Sequence, residues 1–186
     1  MGVQKRYQAI VIGILLAYTI GISVGRRESA LYGTAGADPA GHVSVKAYRD
    51  GELFYEFDQH NLITTEGSTR VRDFLGWDNQ SAGACIYLSL SNDAAPQTSW
   101  TKLPGELTGS GLDRETGTPS PVNATAYQVT YTWTATAPAS VQCTGLHWDS
   151  TDDSSNNLLA AASISSVSLQ ANDMLMVTWT VNIPDG

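Results

Sequence analysis

Tyr127–Thr136 reads YQVTYTWTAT, and its alternation sets the fold class of this 186-residue chain. Every second residue is aromatic or aliphatic: Tyr127, Val129, Tyr131 and Trp133. The residues between them are Gln and Thr. Successive side chains of a β-strand point to opposite faces, so the pattern predicts a strand with one buried and one solvated face.

Alternating or short apolar segments recur along the rest of the chain, separated by Gly, Pro, Asn and Asp. They are Val43–Phe57, Cys85–Leu90, Val141–Trp148, Leu158–Ile164, Val167–Leu169 and Leu175–Val181. This organisation predicts a mainly β protein, a β-sandwich of jelly-roll or immunoglobulin-like type with about eight strands and one short helix. Trp133 and Trp179 have apolar neighbours on their strand faces, so we expect both in the core.

Val43–Phe57 predicts a β-hairpin that turns at Asp50–Gly51. A two-residue loop would mix apolar and charged residues on one face. A three-residue loop, Arg49–Gly51, pairs position 47 with 53, 45 with 55 and 43 with 57, and all six apolar side chains then share a face. We therefore expect the longer loop, with Gly51 left-handed in a G1 bulge.

Thr64–Gly76 (TTEGSTRVRDFLG) carries the helix signal of this domain. Thr65 or Ser68 is the expected N-cap, and Gly76 ends the helix. The apolar face consists of Val71, Phe74 and Leu75.

The N-terminal segment Tyr7–Val24 is an apolar run of 18 residues. Small residues recur there and just beyond it at a spacing of four: Ala9, Gly13, Ala17, Gly21 and Gly25. On a helix these residues share one face, where another helix can approach closely. We therefore predict an apolar helix over residues 1–30, a linker over 31–41 and a β-sandwich domain over 42–186.

Charge divides the chain in the same way. Residues 1–27 contain four basic and no acidic residues, whereas the remainder contains six basic and all 18 acidic residues. An acidic domain without a basic patch is unsuited to binding nucleic acid through phosphates. The strands are almost free of charged residues, which favours an extracellular location.

Three interpretations of the apolar run compete. A cleaved signal peptide has a shorter core and a small-residue site just after it, whereas Arg26 and Arg27 follow this one. A single-span membrane anchor fits the length at its lower limit. A pilin-like helix, inserted first and then packed into a filament, fits both the length and the small-residue face.

The candidate site residues are few. Cys85 and Cys143 lie in separate predicted strands and form either one disulfide or two buried thiols. The Asp149–Asn157 loop offers Asp149, Asp152 and Asp153 as oxygen ligands for Ca²⁺, the only cofactor indicated, but it lacks the EF-hand spacing and closing Glu, so a solvated polar turn is the favoured interpretation. The segments Asn79–Ser81 and Asn123–Thr125 match the N-glycosylation pattern, as chance allows in so Ser- and Thr-rich a chain.

The sequence contains no recognisable catalytic constellation. The three histidines are scattered and no G-x-S-x-G motif is present, so His147 is expected to fill space rather than to act as a base. Trp77 and Trp100 lie in loop-like contexts, where exposed rings would make a ligand platform.

Several segments resemble structural proteins of viruses. They are Asn61–Gly76, Glu106–Thr118 (ELTGSGLDRETGT), Tyr127–Thr136 and Leu158–Ile183, which ends in MLMVTWTVNI. Together they loosely resemble tail-associated and other structural β-sandwich proteins of phages and archaeal viruses. The plan of an apolar helix followed by a sandwich is similar to archaeal pilins and archaellins.

The resemblance and the stripe of small residues lead to one expectation of function. The chain is a non-enzymatic structural subunit of an extracellular or viral assembly, partnered by copies of itself. Residues 7–25 lie in a membrane or filament core, and the sandwich faces outward on a membrane anchor, a virion or a cell-surface filament. The alternative is a membrane-tethered adhesin or a receptor- or carbohydrate-binding module.

Overall fold

The computed structural model describes residues 41–76, 83–93, 95–151 and 156–182. The strands are β1 (Gly41–Arg49), β2 (Glu52–His60), β3 (Leu62–Ile63), β4 (Tyr87–Ser91), β5 (Glu115–Thr116), β6 (Thr118–Asn123), β7 (Ala126–Thr134), β8 (Ala139–His147), β9 (Leu158–Leu169) and β10 (Met174–Asn182), and helix α1 (Thr65–Gly76) follows β3. Eight of these strands have five or more residues, in agreement with the predicted number.

The strands form two antiparallel sheets. Sheet A has the order β2-β1-β10-β7-β6, and sheet B has the order β3-β9-β8-β4-β5. The described part of the chain is therefore mainly β with one short helix, as predicted for the domain. All described residues belong to one compact unit, residues 37–186. The predicted helix over 1–30 and almost all of the linker lie outside the described residues. Within the described ranges, no helix combines the length and the hydropathy needed to cross a membrane.

The core lies between the two sheets and follows the predicted alternation. Val129 and Trp133 of β7 and Val177 and Trp179 of β10 are all buried, which confirms the two tryptophans as core residues. Each indole also has a hydrogen-bond acceptor. Trp133 Nε1 donates to the Asp113 carbonyl at 2.8 Å, and Trp179 Nε1 donates to Thr144 Oγ1 of sheet B at 3.4 Å. Burial of these large rings therefore leaves no indole N–H unsatisfied.

The β1–β2 hairpin corrects the predicted loop. Arg49 pairs with Glu52, so the loop has two residues, Asp50 and Gly51, and both have positive φ, as a type I′ turn requires. A bulge then adds one residue to β2 beside Leu53, and beyond it position 47 pairs with 55 and 45 with 57. The bulge places the apolar residues of β1 and β2 on one face, an arrangement that we had expected a three-residue loop to produce. Leu53, beside the bulge, is exposed.

Helix α1 begins earlier than either predicted cap, Thr65 or Ser68, allows. Thr64 is the N-cap: its Oγ1 accepts the Gly67 N–H at 2.9 Å and donates to the Leu158 carbonyl at 2.6 Å. Thr64 is fully buried, whereas Thr65 and Ser68 are exposed. The cap therefore ties the helix to β9 as well as satisfying its first turn.

Part of sheet B is buried on both faces. Ala160 and Ala162 of β9 lie in the main core, whereas Ala161, between them, lies in a second apolar cluster. That second cluster consists of Leu103, Cys143, Leu158 and Ala161, with Trp100 packed against it. A strand segment covered on both sides has no polar face, which explains why the first five residues of β9, Leu158–Ala162, are a continuous apolar run, whereas its second half contains exposed serines.

Candidate functional site

Most of the predicted site residues lie outside the described part of the chain. These are the stripe residues Ala9, Gly13, Ala17, Gly21 and Gly25, the aromatic Trp77, and the carboxylates Asp152 and Asp153. Of the predicted Ca²⁺ ligands only Asp149 is described. Its carboxylate accepts the N–H and the hydroxyl of Thr151, both at 2.9 Å, and these bonds hold the pKa of Asp149 below its usual value. Among the described residues, no group of three or more His, Cys, Asp or Glu is placed to hold a metal ion.

The two cysteines are free thiols. Cys143 lies in the second cluster, whereas Cys85 packs against the main core. Burial raises the pKa of Cys85 to about 11 and that of Cys143 to about 12, so both stay neutral at physiological pH. Of the two alternatives that the sequence left open, the structure has the buried thiols.

Trp100 does not form an open platform. Its ring is half-buried and covers the second cluster next to Leu103. The Trp100 N–H donates to the Gln97 carbonyl at 3.1 Å, which fixes the turn that carries the ring. The ring thus has a packing role that its loop-like sequence context does not reveal.

The sequence did not predict the most distinctive polar cluster, a chain of three hydrogen-bonded side chains. Ser89 Oγ lies 2.7 Å from His147 Nε2, and His147 Nδ1 lies 2.9 Å from Asn157 Oδ1. A hydroxyl, an imidazole and an orienting carbonyl in this order have the arrangement of a nucleophile, a base and its orienting group. The first pair is 58 residues apart in sequence, so spacing alone carries no signal for it.

The hydrogen bonds define the protonation of this cluster. Asn157 Nδ2 donates to the Thr151 carbonyl at 3.1 Å, which directs the amide oxygen toward the imidazole. Because that oxygen only accepts, His147 Nδ1 carries a proton. Burial lowers the pKa of His147 to about 3, so Nε2 carries none and accepts from the Ser89 hydroxyl. The imidazole is therefore neutral, in the tautomer that a general base would need.

Access and basicity both rule the cluster out as a catalytic site. Ser89 and His147 have no exposed surface, and Asn157 is 2% exposed. A Cβ on Gly145 would already lie 2.8 Å from His147 Nε2, so a substrate atom has no room beside the base. Burial, with a smaller contribution from the Arg114 guanidinium, lowers the pKa of His147 to about 3. His147 therefore fills space between strands, as the sequence led us to expect.

A buried ion pair extends this polar cluster to the following loop. Arg114 binds Glu106 through two hydrogen bonds of 2.8 and 2.6 Å, and their side chains are 2% and 8% exposed. Arg114 Nη1 also donates to the carbonyls of Asp149 and Thr151 at 3.0 and 2.5 Å. The guanidinium thus holds the loop after β8 against the segment before β5, and its charge is compensated where it is buried.

The outer face of sheet A is neutral in its central strands. β7 and β10 contain no charged residue, and their outward side chains include five threonines and two methionines, Met174 and Met176. Thr130 Oγ1 lies 2.9 Å from Thr178 Oγ1 on the neighbouring strand. Charges on this face belong to the β1–β2 hairpin, where Lys46 pairs with Glu56 at 2.9 Å and His42 with Asp58.

The edges of both sheets are protected against pairing with another strand. Edge strand β6 contains Pro119 and Pro121, which lack the N–H that a further strand would need. Edge strand β2 carries Glu52, Glu56 and Asp58. Edge strands β3 and β5 have only two residues each. Short, charged and proline-containing edges are the usual means by which β proteins avoid association through their sheets.

No protein-family model matches the chain, and comparison with curated proteins and with solved structures gives no significant match.

Proposed function

We propose that this chain is a non-enzymatic structural subunit that assembles with copies of itself through its N-terminal segment. The assembly is extracellular or viral, and the β-sandwich is its exposed head. The proposal includes the finer fold class, jelly-roll or immunoglobulin-like, and the predicted location on a membrane anchor, a virion or a surface filament. The resemblance to viral structural proteins and to archaeal pilins points in the same direction.

The observation that carries the proposal is the contrast between the two parts of the chain. The edge strands β2, β3, β5 and β6 of the described sheets are charged, short or proline-containing, which disfavours extending an assembly by strand addition. The N-terminal run instead has five small residues at a spacing of four, which suits close helix packing. Contacts between subunits are therefore expected to depend on the helix and not on strand exchange.

Two features of the head support a structural role. The one described cluster with a nucleophile–base arrangement, around His147, is sealed from solvent. The central outer face of sheet A is neutral although the domain as a whole is acidic. Neutral faces allow neighbouring heads to lie side by side without charge repulsion.

Substitution of the stripe tests the proposal. Gly21→Leu combined with Gly25→Leu places two bulky side chains on the packing face, whereas Thr19→Leu combined with Ser23→Leu places them on nearly the opposite side of the same helix. Full-length proteins are compared by sedimentation velocity and negative-stain electron microscopy. We expect the glycine variant to lose the assembly and the control to retain it. Equal assembly of both variants would refute the role of the stripe.

The same experiment addresses the alternative function, a membrane-tethered adhesin or a receptor- or carbohydrate-binding module. A binding head should retain its ligand when the stripe is altered, because the ligand contacts only the sandwich. The aromatic platform that favoured this alternative is weakened by the packing of Trp100. The adhesin would be favoured if the glycine variant no longer oligomerised but still bound a glycan array as strongly as the wild type.

A further inference from the structure

The β6–β7 hairpin presents an asparagine in an unusual local geometry. Asn123 is the last residue of β6, and Ala124 and Thr125 form the turn before β7. Asn123 and Ala124 are both exposed. Asn123 Oδ1 accepts two hydrogen bonds, from the Thr125 N–H at 2.8 Å and from the Thr125 hydroxyl at 3.2 Å. The amide oxygen of this exposed side chain is therefore held by the turn.

We propose that Asn123 is an N-glycosylation site. The sequence pattern Asn-x-Thr alone gives little support, since it occurs by chance. The structure adds two observations: the Asn123 side chain is exposed, and Thr125 donates two hydrogen bonds to its amide oxygen. Hydrogen bonds to Oδ1 draw electron density toward the oxygen and make a proton on Nδ2 easier to remove.

The donor for this reaction is an oligosaccharide linked to a lipid pyrophosphate. Nδ2 of Asn123 attacks the anomeric carbon of the first sugar and forms a C–N bond. The bond from that carbon to the pyrophosphate oxygen breaks, and the lipid pyrophosphate leaves with the electron pair. The proton from Nδ2 passes to a carboxylate of the transferase, so no oxidant or reductant is required.

The neighbourhood of Asn123 gives the modification a physical effect. Val122, the preceding residue, is 50% exposed, the highest value among the large apolar side chains of the described residues. A glycan on the next residue would cover Val122 with hydrophilic sugar. It would also stand beside edge strand β6, where Pro119 and Pro121 already oppose strand pairing.

This inference depends on the proposed function in one respect, because glycosylation in the cell requires the head to lie on the extracellular side. The chemistry itself can be tested without that condition. Unmodified full-length protein is purified from bacterial cytoplasm in detergent. It is then incubated with a purified single-subunit oligosaccharyltransferase and a lipid pyrophosphate-linked oligosaccharide. Intact-protein mass spectrometry measures the fraction that gains one glycan.

Four variants make the result specific. Asn123→Gln and Thr125→Val should lower the modified fraction at least tenfold, and Thr125→Ser, which keeps the hydroxyl, should restore most of it. Asn79→Gln removes the other matching segment and should leave the modified fraction unchanged. Unmodified wild-type protein, or undiminished modification of Asn123→Gln, would overturn the proposal. Thermal melts verify that each variant is folded.

The glycine variant of the N-terminal stripe separates this proposal from the structural one. Gly21→Leu combined with Gly25→Leu should be glycosylated as well as wild type, because the hairpin is distant in sequence from the stripe. If that variant assembles normally yet accepts the glycan, only the structural proposal fails. If it loses assembly and wild type accepts no glycan, only the glycosylation site fails.

Discussion

The buried imidazole of His147 makes the stability of the sandwich sensitive to mild acid. An exposed histidine has a pKa of 6.5, whereas burial lowers the pKa of His147 to about 3 in the folded protein. Between these values the unfolded chain binds a proton that the folded chain excludes. The contribution of the neutral, buried His147 to the free energy of unfolding is therefore fully present above pH 6.5. It is lost progressively as the pH falls toward 3.

The magnitude follows from the size of this shift. Each pH unit inside the window costs about 1.4 kcal/mol of unfolding free energy. From pH 6.5 to pH 5 the expected loss is roughly 2 kcal/mol, and at pH 3 it approaches about 5 kcal/mol. Domains of this size are typically stable by about 5–15 kcal/mol, so the effect is easily measurable.

Urea unfolding followed by tryptophan fluorescence, at half-unit steps from pH 7.5 to pH 5, measures this dependence. Most carboxyl groups titrate below the range, which leaves the histidines to dominate it. His147→Gln should flatten the slope. Ser89→Ala lowers stability but retains the buried imidazole, so its slope should match wild type. A His147→Gln slope equal to that of wild type would show the reasoning to be wrong.

Three further predictions concern single positions. Thr64→Val removes the buried cap and should cost about 2–3 kcal/mol in urea unfolding, whereas Ser68→Ala, at one of the two exposed positions predicted as caps, should change stability by less than about 0.5 kcal/mol. Gly67→Ala places a Cβ 2.1 Å from a backbone carbonyl of β9 and should lower stability by about 3 kcal/mol or more. Gly76→Ala meets nothing within 4 Å and should melt within a few degrees of wild type; a comparable loss at both glycines would contradict the steric argument. Gly51→Ala also meets nothing within 4 Å but must adopt a φ of 83°, so about 1 kcal/mol of destabilisation is expected, and a neutral result would argue against the type I′ turn.

The faces of the strands could be predicted from sequence because the signal is local. A period of two along β7 and β10 assigns Trp133 and Trp179 to the core whatever their neighbours are. The register of β1 against β2 could not be predicted in the same way. A longer loop and a bulge beside Leu53 both place the apolar residues on one face, and only the paired ladder distinguishes them.

The cap of α1 and the polar cluster depend on contacts between distant segments. Thr64, Thr65 and Ser68 are all suitable caps, and the choice falls on Thr64 because β9 supplies the carbonyl to which it donates. Ser89 and His147 meet only after β4 pairs with β8. Such contacts join residues that are far apart in sequence, so residue spacing does not predict them and the polar cluster is visible only in the folded structure.

The position of β1 in sheet A also bears on how the protein is made. β1 lies between β2 and β10, and Gly41 pairs with Val181 near the far end of the domain. Translation at roughly 5–20 residues per second separates the synthesis of these strands by on the order of ten seconds. During that interval Val43 and Val45 have no partner on the β10 side. The nascent chain, and not the finished head, is therefore the form in which this protein most needs protection by chaperones.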